Sequence, residues 1–170
     1  DAGAPREAGA LDLAGNPRTL GPAPDIGAYE SIPPPVAATI TSLAVSPKAF
    51  KPRKRGGAIV SAAAALKAKA GTTIRYSLSA AAAIGFTVER ALKGRRVGGK
   101  CQKQTAGNRA KKKCTRFKVL KGAFSHSGAA GPNSFRFSGR LRGKGLVPGK
   151  YRLVARTGDS VKRAAFRIVR

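Results

Sequence analysis

The chain has 170 residues, enough for one medium domain or a small domain with an appendage. Its formal charge is +27, from 34 basic and 7 acidic residues, and it contains no methionine. No run approaches the roughly 18 consecutive apolar residues of a membrane-spanning helix, and no signal peptide is present, so the chain reads as a fragment or processed product.

The first 35 residues differ from the rest. They hold two basic residues against five acidic ones, whereas residues 36–170 hold 32 against two. Segments of opposite sign predict separately built parts. "DLAGNPRTLGPAPDIGAYE", Asp12 to Glu30, is dense in Gly, Pro, Asp and Asn and cannot bury a core of its own. "SIPPPVAA", residues 31–38, is a linker: three prolines favour polyproline II and lack N–H donors, which ends any helix or central strand. The predicted divisions are therefore a tail over 1–30, a linker over 31–38 and a folded module over 39–170.

Beyond the linker the pattern has period two. Ala62 to Ala70 tolerates a helix, but its one large apolar residue, Leu66, gives it nothing to dock with, so it is read as strand end plus loop. "TIRYSLSA" sets Ile74, Tyr76 and Leu78 against Arg75, Ser77 and Ser79. "IGFTVERA" sets Ile84, Phe86 and Val88 against Gly85, Thr87 and Glu89. "RFKVLKG" sets Phe117 and Val119 against Lys118, and "SFRFSGRLRG" sets Phe135, Phe137 and Leu141 against Arg136, Ser138, Arg140 and Arg142. "KYRLVAR" and "AAFRIVR" bring Tyr151, Leu153, Ala155, Phe166 and Ile168 to one face. Such runs are strands with one buried and one wet side. Between them stand the turn signals "KPRKRGG", "AGTT", "KGRRVGG", "SGAAGPNS" and "GKGLVPGK". The expected fold is all-β, an antiparallel sandwich.

Cys101 and Cys114 are the two cysteines. A zinc site needs more ligands at close spacing, and His126 is the one histidine. A disulfide closing a loop of about 14 residues would restrict the unfolded chain by about 3 kcal/mol, and such bonds persist in oxidising compartments.

Two resemblances extend this reading. Asp1-Ala2-Gly3, then Asp12-Leu13-Ala14-Gly15-Asn16-Pro17-Arg18, then Pro24-Asp25-Ile26-Gly27-Ala28-Tyr29-Glu30 resembles the C-terminal tail of secreted right-handed parallel β-helix proteins of the choice-of-anchor Q type, related to polymorphic outer-membrane repeats. It implies that residues 1–30 are a short extended remnant of a β-helix domain. "SLAVSPKAFKP", "IRYSLSAAAAIGFTVERALKGRRVGGKC", "CTRF", "SFRFSGRLRGKGLVPGKYRLVA" and "AAFRIVR" resemble a C-terminal module of secreted actinobacterial proteins. That resemblance implies an Ig-like or fibronectin-like sandwich with one disulfide, an extracellular or cell-surface location and a non-catalytic role. The chain departs from the module's pattern near Thr157 to Val161, where a longer turn is usual.

The residues offer little for catalysis. Glu89 and Asp159, the two carboxylates after the linker, lie in different predicted elements, and paired acids need about 5–10 Å between them. His126 lies between Ser125 and Ser127, but neighbours on a strand face opposite ways, and a triad needs an orienting acid. His126 is read as an exposed turn residue. No phosphate loop and no cofactor motif occurs. The basic runs remain: Lys100, Lys103, Arg109, Lys111, Lys112 and Lys113 share the predicted disulfide loop and form the candidate polyanion-binding set. Their expected partner is an anionic cell-surface or extracellular polysaccharide; the plainer reading is a solubilising face. The aromatics lie on predicted core faces and are not interleaved with the charges, which argues against specific nucleic-acid binding. The alternative role is that of an accessory module to a β-helix polysaccharide lyase or hydrolase.

Overall fold

A computed structural model of the chain describes residues 37–61 and 70–170. The tail over 1–30, the prolines of the linker and the Ala-rich segment up to Lys69 lie outside the described residues. Among the described residues the structure is all-β, with no helix.

The first sheet contains β1 (Ile40–Ser46), β3 (Ile59–Val60), β4 (Thr72–Leu78) and β9 (Gly131–Phe137), in the order β1-β4-β9-β3 and antiparallel throughout. The second is built around β5 (Ala82–Val97), a strand of 16 residues. On one edge of β5 lie β12 (Gly149–Thr157), then β13 (Ser160–Ile168), then β2 (Ala49–Phe50). Three further strands pair with β5: β6 (Lys100–Lys103), β7 (Lys113–Val119) and β8 (Phe124–Gly128). A small hairpin, β10 (Arg140–Leu141) with β11 (Lys144–Gly145), stands apart from both sheets. After β1 the chain leaves the first sheet at Pro47, and β2 then runs parallel to β13 in the second.

The period-two runs explain this arrangement. Ile74, Tyr76 and Leu78 of β4 and Phe135 and Phe137 of β9 face Ile84, Phe86 and Val88 of β5 and Leu153 of β12 in one buried cluster. Aromatic rings tie the sheets together: Tyr76 meets Phe86 edge-on at 5.8 Å, Phe86 meets Phe135 at 5.1 Å, and Phe124 stacks on Phe86 and Phe137. Phe86 is fully buried, so truncating it to Ala would cost about 3–5 kcal/mol.

Buried polar groups lock the connections between strands. Thr72 Oγ1 donates to the Pro47 carbonyl at 2.8 Å. Tyr151, at the start of β12, donates its hydroxyl to the Val147 carbonyl at 2.7 Å. The basic loop "KPRKRGG" is held from within: the Arg140 guanidinium donates to the carbonyls of Arg53, Lys54 and Gly56. The last hairpin closes through Gly158 and Asp159, with Thr157 paired to Ser160, so the shortened sequence there forms a two-residue turn.

Three sequence expectations need correction. Phe117 and Val119 are 40% and 57% exposed: they lie on the outer side of the second sheet, beside Glu89 and Ala91. "KGRRVGG" is not a turn over its length; β5 continues to Val97 and the chain reverses only at Gly98 and Gly99, whose φ values are 53° and 77°. His126 is no turn residue. It lies in β8, half-buried, stacked on Phe135 at 4.8 Å and hydrogen-bonded through Nδ1 to the Tyr76 hydroxyl at 2.7 Å.

Candidate polyanion-binding surface

The end of β5 forms the base of a three-stranded ribbon. Gly94 pairs with Lys103 of β6 on one edge and with Cys114 of β7 on the other; Arg95 pairs with Gln102 and with Lys113. In a flat sheet the two outer strands would stand about 9.5 Å apart, two strand spacings. The Cys101–Cys114 disulfide instead holds its Cα atoms 5.9 Å apart, so the ribbon is curled around β5. The curl closes over Gly94. A Cβ there would stand 2.6 Å from the Gln102 carbonyl oxygen and 2.7 Å from Cys101 Sγ. Gly94 is required because the disulfide and a backbone carbonyl occupy the space of a side chain.

Residues 104–112 form the ribbon's tip, ordered by two side chains. Asn108 accepts the Thr105 N–H at 2.8 Å through Oδ1 and donates from Nδ2 to the Lys103 carbonyl at 2.9 Å. Arg95 donates to Gln104 Oε1 and to the Lys111 carbonyl, each at 3.0 Å. The Arg96 N–H donates to the Lys112 carbonyl at 2.9 Å. Carbonyls of Lys103, Lys111 and Lys112 are thereby occupied within the ribbon.

The six predicted cations are all exposed, but they do not share one loop as expected. Lys100 and Lys103 stand on β6, Lys113 opens β7, and only Arg109, Lys111 and Lys112 belong to the tip. Lys113 pairs with Arg95 in the strand ladder, so part of this charge rests on a strand face after all. The sequence carries no acidic residue between Glu89 and Asp159, a span that includes the whole ribbon. Among the described residues the one ion pair joins Glu89 and Arg152, on the sheet. Nothing in that ladder neutralises the ribbon.

Sequence reasoning missed Gly94, Arg95 and Asn108, which shape the ribbon without contributing to its outermost charge. Gly94 and Arg95 were concealed within an apparent turn, and Asn108 in a segment without periodicity. Among the described residues Glu89, Asp159, His126 and the serines beside it do not come together. Glu89 is tied to Arg152 on β12 and Asp159 lies in the β12–β13 turn. Ser125 and Ser127 are exposed on the side of β8 opposite His126. Among the described residues no three His, Cys, Asp or Glu side chains gather as metal ligands, and no helix is long and apolar enough to cross a membrane. Comparison with protein-family models, curated proteins and solved structures finds no match to the chain.

Proposed function

We propose that the chain belongs to a secreted or cell-surface β-helix protein and that its basic module is a non-catalytic, Ig-like domain that attaches to anionic cell-wall or matrix polymers. One observation carries the attachment: six exposed cations stand on a disulfide-closed ribbon with no acidic residue in its sequence. A polyanion meeting this surface displaces its own counterions and competes with no internal carboxylate. The disulfide is compatible with an oxidising, extracellular compartment.

The Ig-like reading draws on the strand connections. The chain contributes β1 to one sheet and β2 to the other, and Tyr151 reaches back to the Val147 carbonyl at the entry to β12. Such a tyrosine corner marks the corresponding strand of Ig-like sandwiches. The aromatic rings favour polysaccharide over sequence-read nucleic acid, since nearly all of them are packed between the sheets and leave no series of stacking platforms.

The test is binding of the full chain to isolated cell wall or a uronic-acid polymer between low and physiological salt. Affinity should fall steeply with salt. Replacing Lys111, Lys112 and Lys113 with Gln should make the slope of log affinity against log salt shallower by about 2 to 3, at roughly 0.7–0.9 per lost contact. Salt-independent affinity, or a triple variant that binds as the parent does, would reduce the charge to a solubilising surface.

A further inference from the structure

The ribbon is not the end of the basic surface. Successive residues of a strand face opposite ways, and the core side of β5 holds Ile84, Phe86 and Val88. Glu89, Ala91, Lys93 and Arg95 therefore face outward, opposite Val119, Phe117, Thr115 and Lys113 of β7. This outer face holds two concavities. One, of about 570 Å³, lies on the ribbon between Lys93, Arg95, Gln104 and Lys113. The other, of about 520 Å³, lies on the sheet over Ala49, Ala91, Ala165 and Phe117. Thr115 lines both, so the two adjoin at β7.

The sheet concavity has an apolar floor and a cationic rim formed by Lys48, Lys150, Arg163 and Arg167. Lys150 and Arg167 are direct cross-strand partners. Like charges placed opposite each other on a sheet destabilise it, and among the described residues the one carboxylate on this face, Glu89, is engaged by Arg152. Among the described residues the rim thus keeps a like-charge pair with no carboxylate partner beside a formed apolar surface, an arrangement that an anionic ligand would relieve.

We propose that one anionic polysaccharide strand occupies both concavities, running from Lys93 and Lys113 on the ribbon across Phe117 and the alanines to Lys150 and Arg167. This rests on the polyanion reading above and adds the ligand's path and minimum length. From Lys113 to Phe117 is about 13 Å along β7, and from β7 across β5 and β12 to β13 is about 14 Å, so the track is roughly 27 Å long. Pyranose rings present C–H faces that suit a floor of alanines, while their carboxylates reach the rims on either side. A nucleic acid fits this floor less well. Phe117 is its one exposed ring and has a face covered by the Arg152 guanidinium, 3.6 Å from the centroid, whereas single strands need repeated stacking surfaces.

The experiment measures binding of the full chain to size-fractionated oligogalacturonates at fixed low salt. Wild-type affinity should climb at least tenfold as the oligomer lengthens to the span of the track, then level off. Lys150→Gln with Arg167→Gln should abolish that rise, leaving long oligomers bound no more tightly than short ones. Because the variant removes a like-charge pair from exposed positions, its melting temperature should equal or exceed the parent's, and a fall in melting temperature would contradict the pair's mutual repulsion. A length dependence that survives in the double variant overturns the track while leaving ribbon attachment intact. Failure of every oligomer to bind the wild type overturns both. Tighter binding of a single-stranded oligonucleotide of equal charge overturns the choice of polysaccharide.

Discussion

Gly94→Ala is the sharpest test of the curled ribbon. The added methyl would meet the Gln102 carbonyl oxygen at 2.6 Å and Cys101 Sγ at 2.7 Å, with Cys114 Sγ at 3.4 Å. None of these atoms is the free end of a flexible side chain: one belongs to the β5–β6 ladder and two to the covalent bridge. Relief requires the ribbon to open or the hairpin to shift, so the cost is that of overpacking, about 1–3 kcal/mol. For a domain of this size that lowers the melting temperature by roughly 3–12 °C. Gly85→Ala is the matched control in the same strand, because a Cβ there finds only the Arg156 carbonyl oxygen at 3.8 Å. Replacing glycine within a strand ordinarily lowers the entropy lost on folding, so Gly85→Ala should be neutral or stabilising by up to about 1 kcal/mol. Thermal melts followed by circular dichroism under non-reducing conditions provide the comparison. If Gly94→Ala melts within a degree of wild type, or Gly85→Ala is equally damaging, the disulfide does not pass over Gly94 as described.

Replacing both Cys101 and Cys114 with Ser should destabilise the fold by about 3 kcal/mol in the loop-entropy model, with far-ultraviolet circular dichroism of the folded form unchanged; an unaltered melting temperature would refute this. Arg140→Ala should free the 51–57 loop and speed tryptic cleavage at Lys54 and Arg55 severalfold, because the guanidinium bonds that hold three of its carbonyls are lost; an unchanged digestion rate would refute it. Burial lowers the pKa of His126 below its ordinary 6.5. The unfolded chain therefore takes up the proton first, so the contribution of the neutral ring is complete above about pH 6.5 and declines as pH falls through the folded-state value. Urea melts across pH 7 to 5 should show this decline, and His126→Gln should flatten it.

Much of the fold was legible because alternation was strong where two sheets meet. Ile74, Tyr76 and Leu78, or Tyr151, Leu153 and Ala155, could be assigned to a core without knowing their partners. Alternation identifies two faces but does not say which one is covered, and that is why Phe117 and Val119 were misplaced. Their strand sits beyond β12 on the far edge of β5, where the apolar face happens to be the outer one. His126 was misread for a related reason: its partners Tyr76 and Phe135 lie on other strands, where local sequence does not show them. Glycine had two meanings in "KGRRVGG". Gly98 and Gly99 serve backbone conformation, but Gly94 serves a close approach by atoms from two other strands, and no local pattern reports that. The six ribbon cations could be found from their density alone; Arg95 and Asn108, which position the tip, could not.

The parallel contact between β2 and β13 has a mechanical meaning. The Arg167 N–H donates to the Lys48 carbonyl and the Val169 N–H to the Phe50 carbonyl, at 2.7 and 3.0 Å. Tension applied to the chain ahead of β2 and beyond β13 drives these two strands past each other lengthwise. The bonds then bear the load together, whereas an antiparallel hairpin pulled open from its ends surrenders them one at a time. The join between β2 and β13 is thus loaded in shear, so lengthwise tension is shared between its two bonds at once.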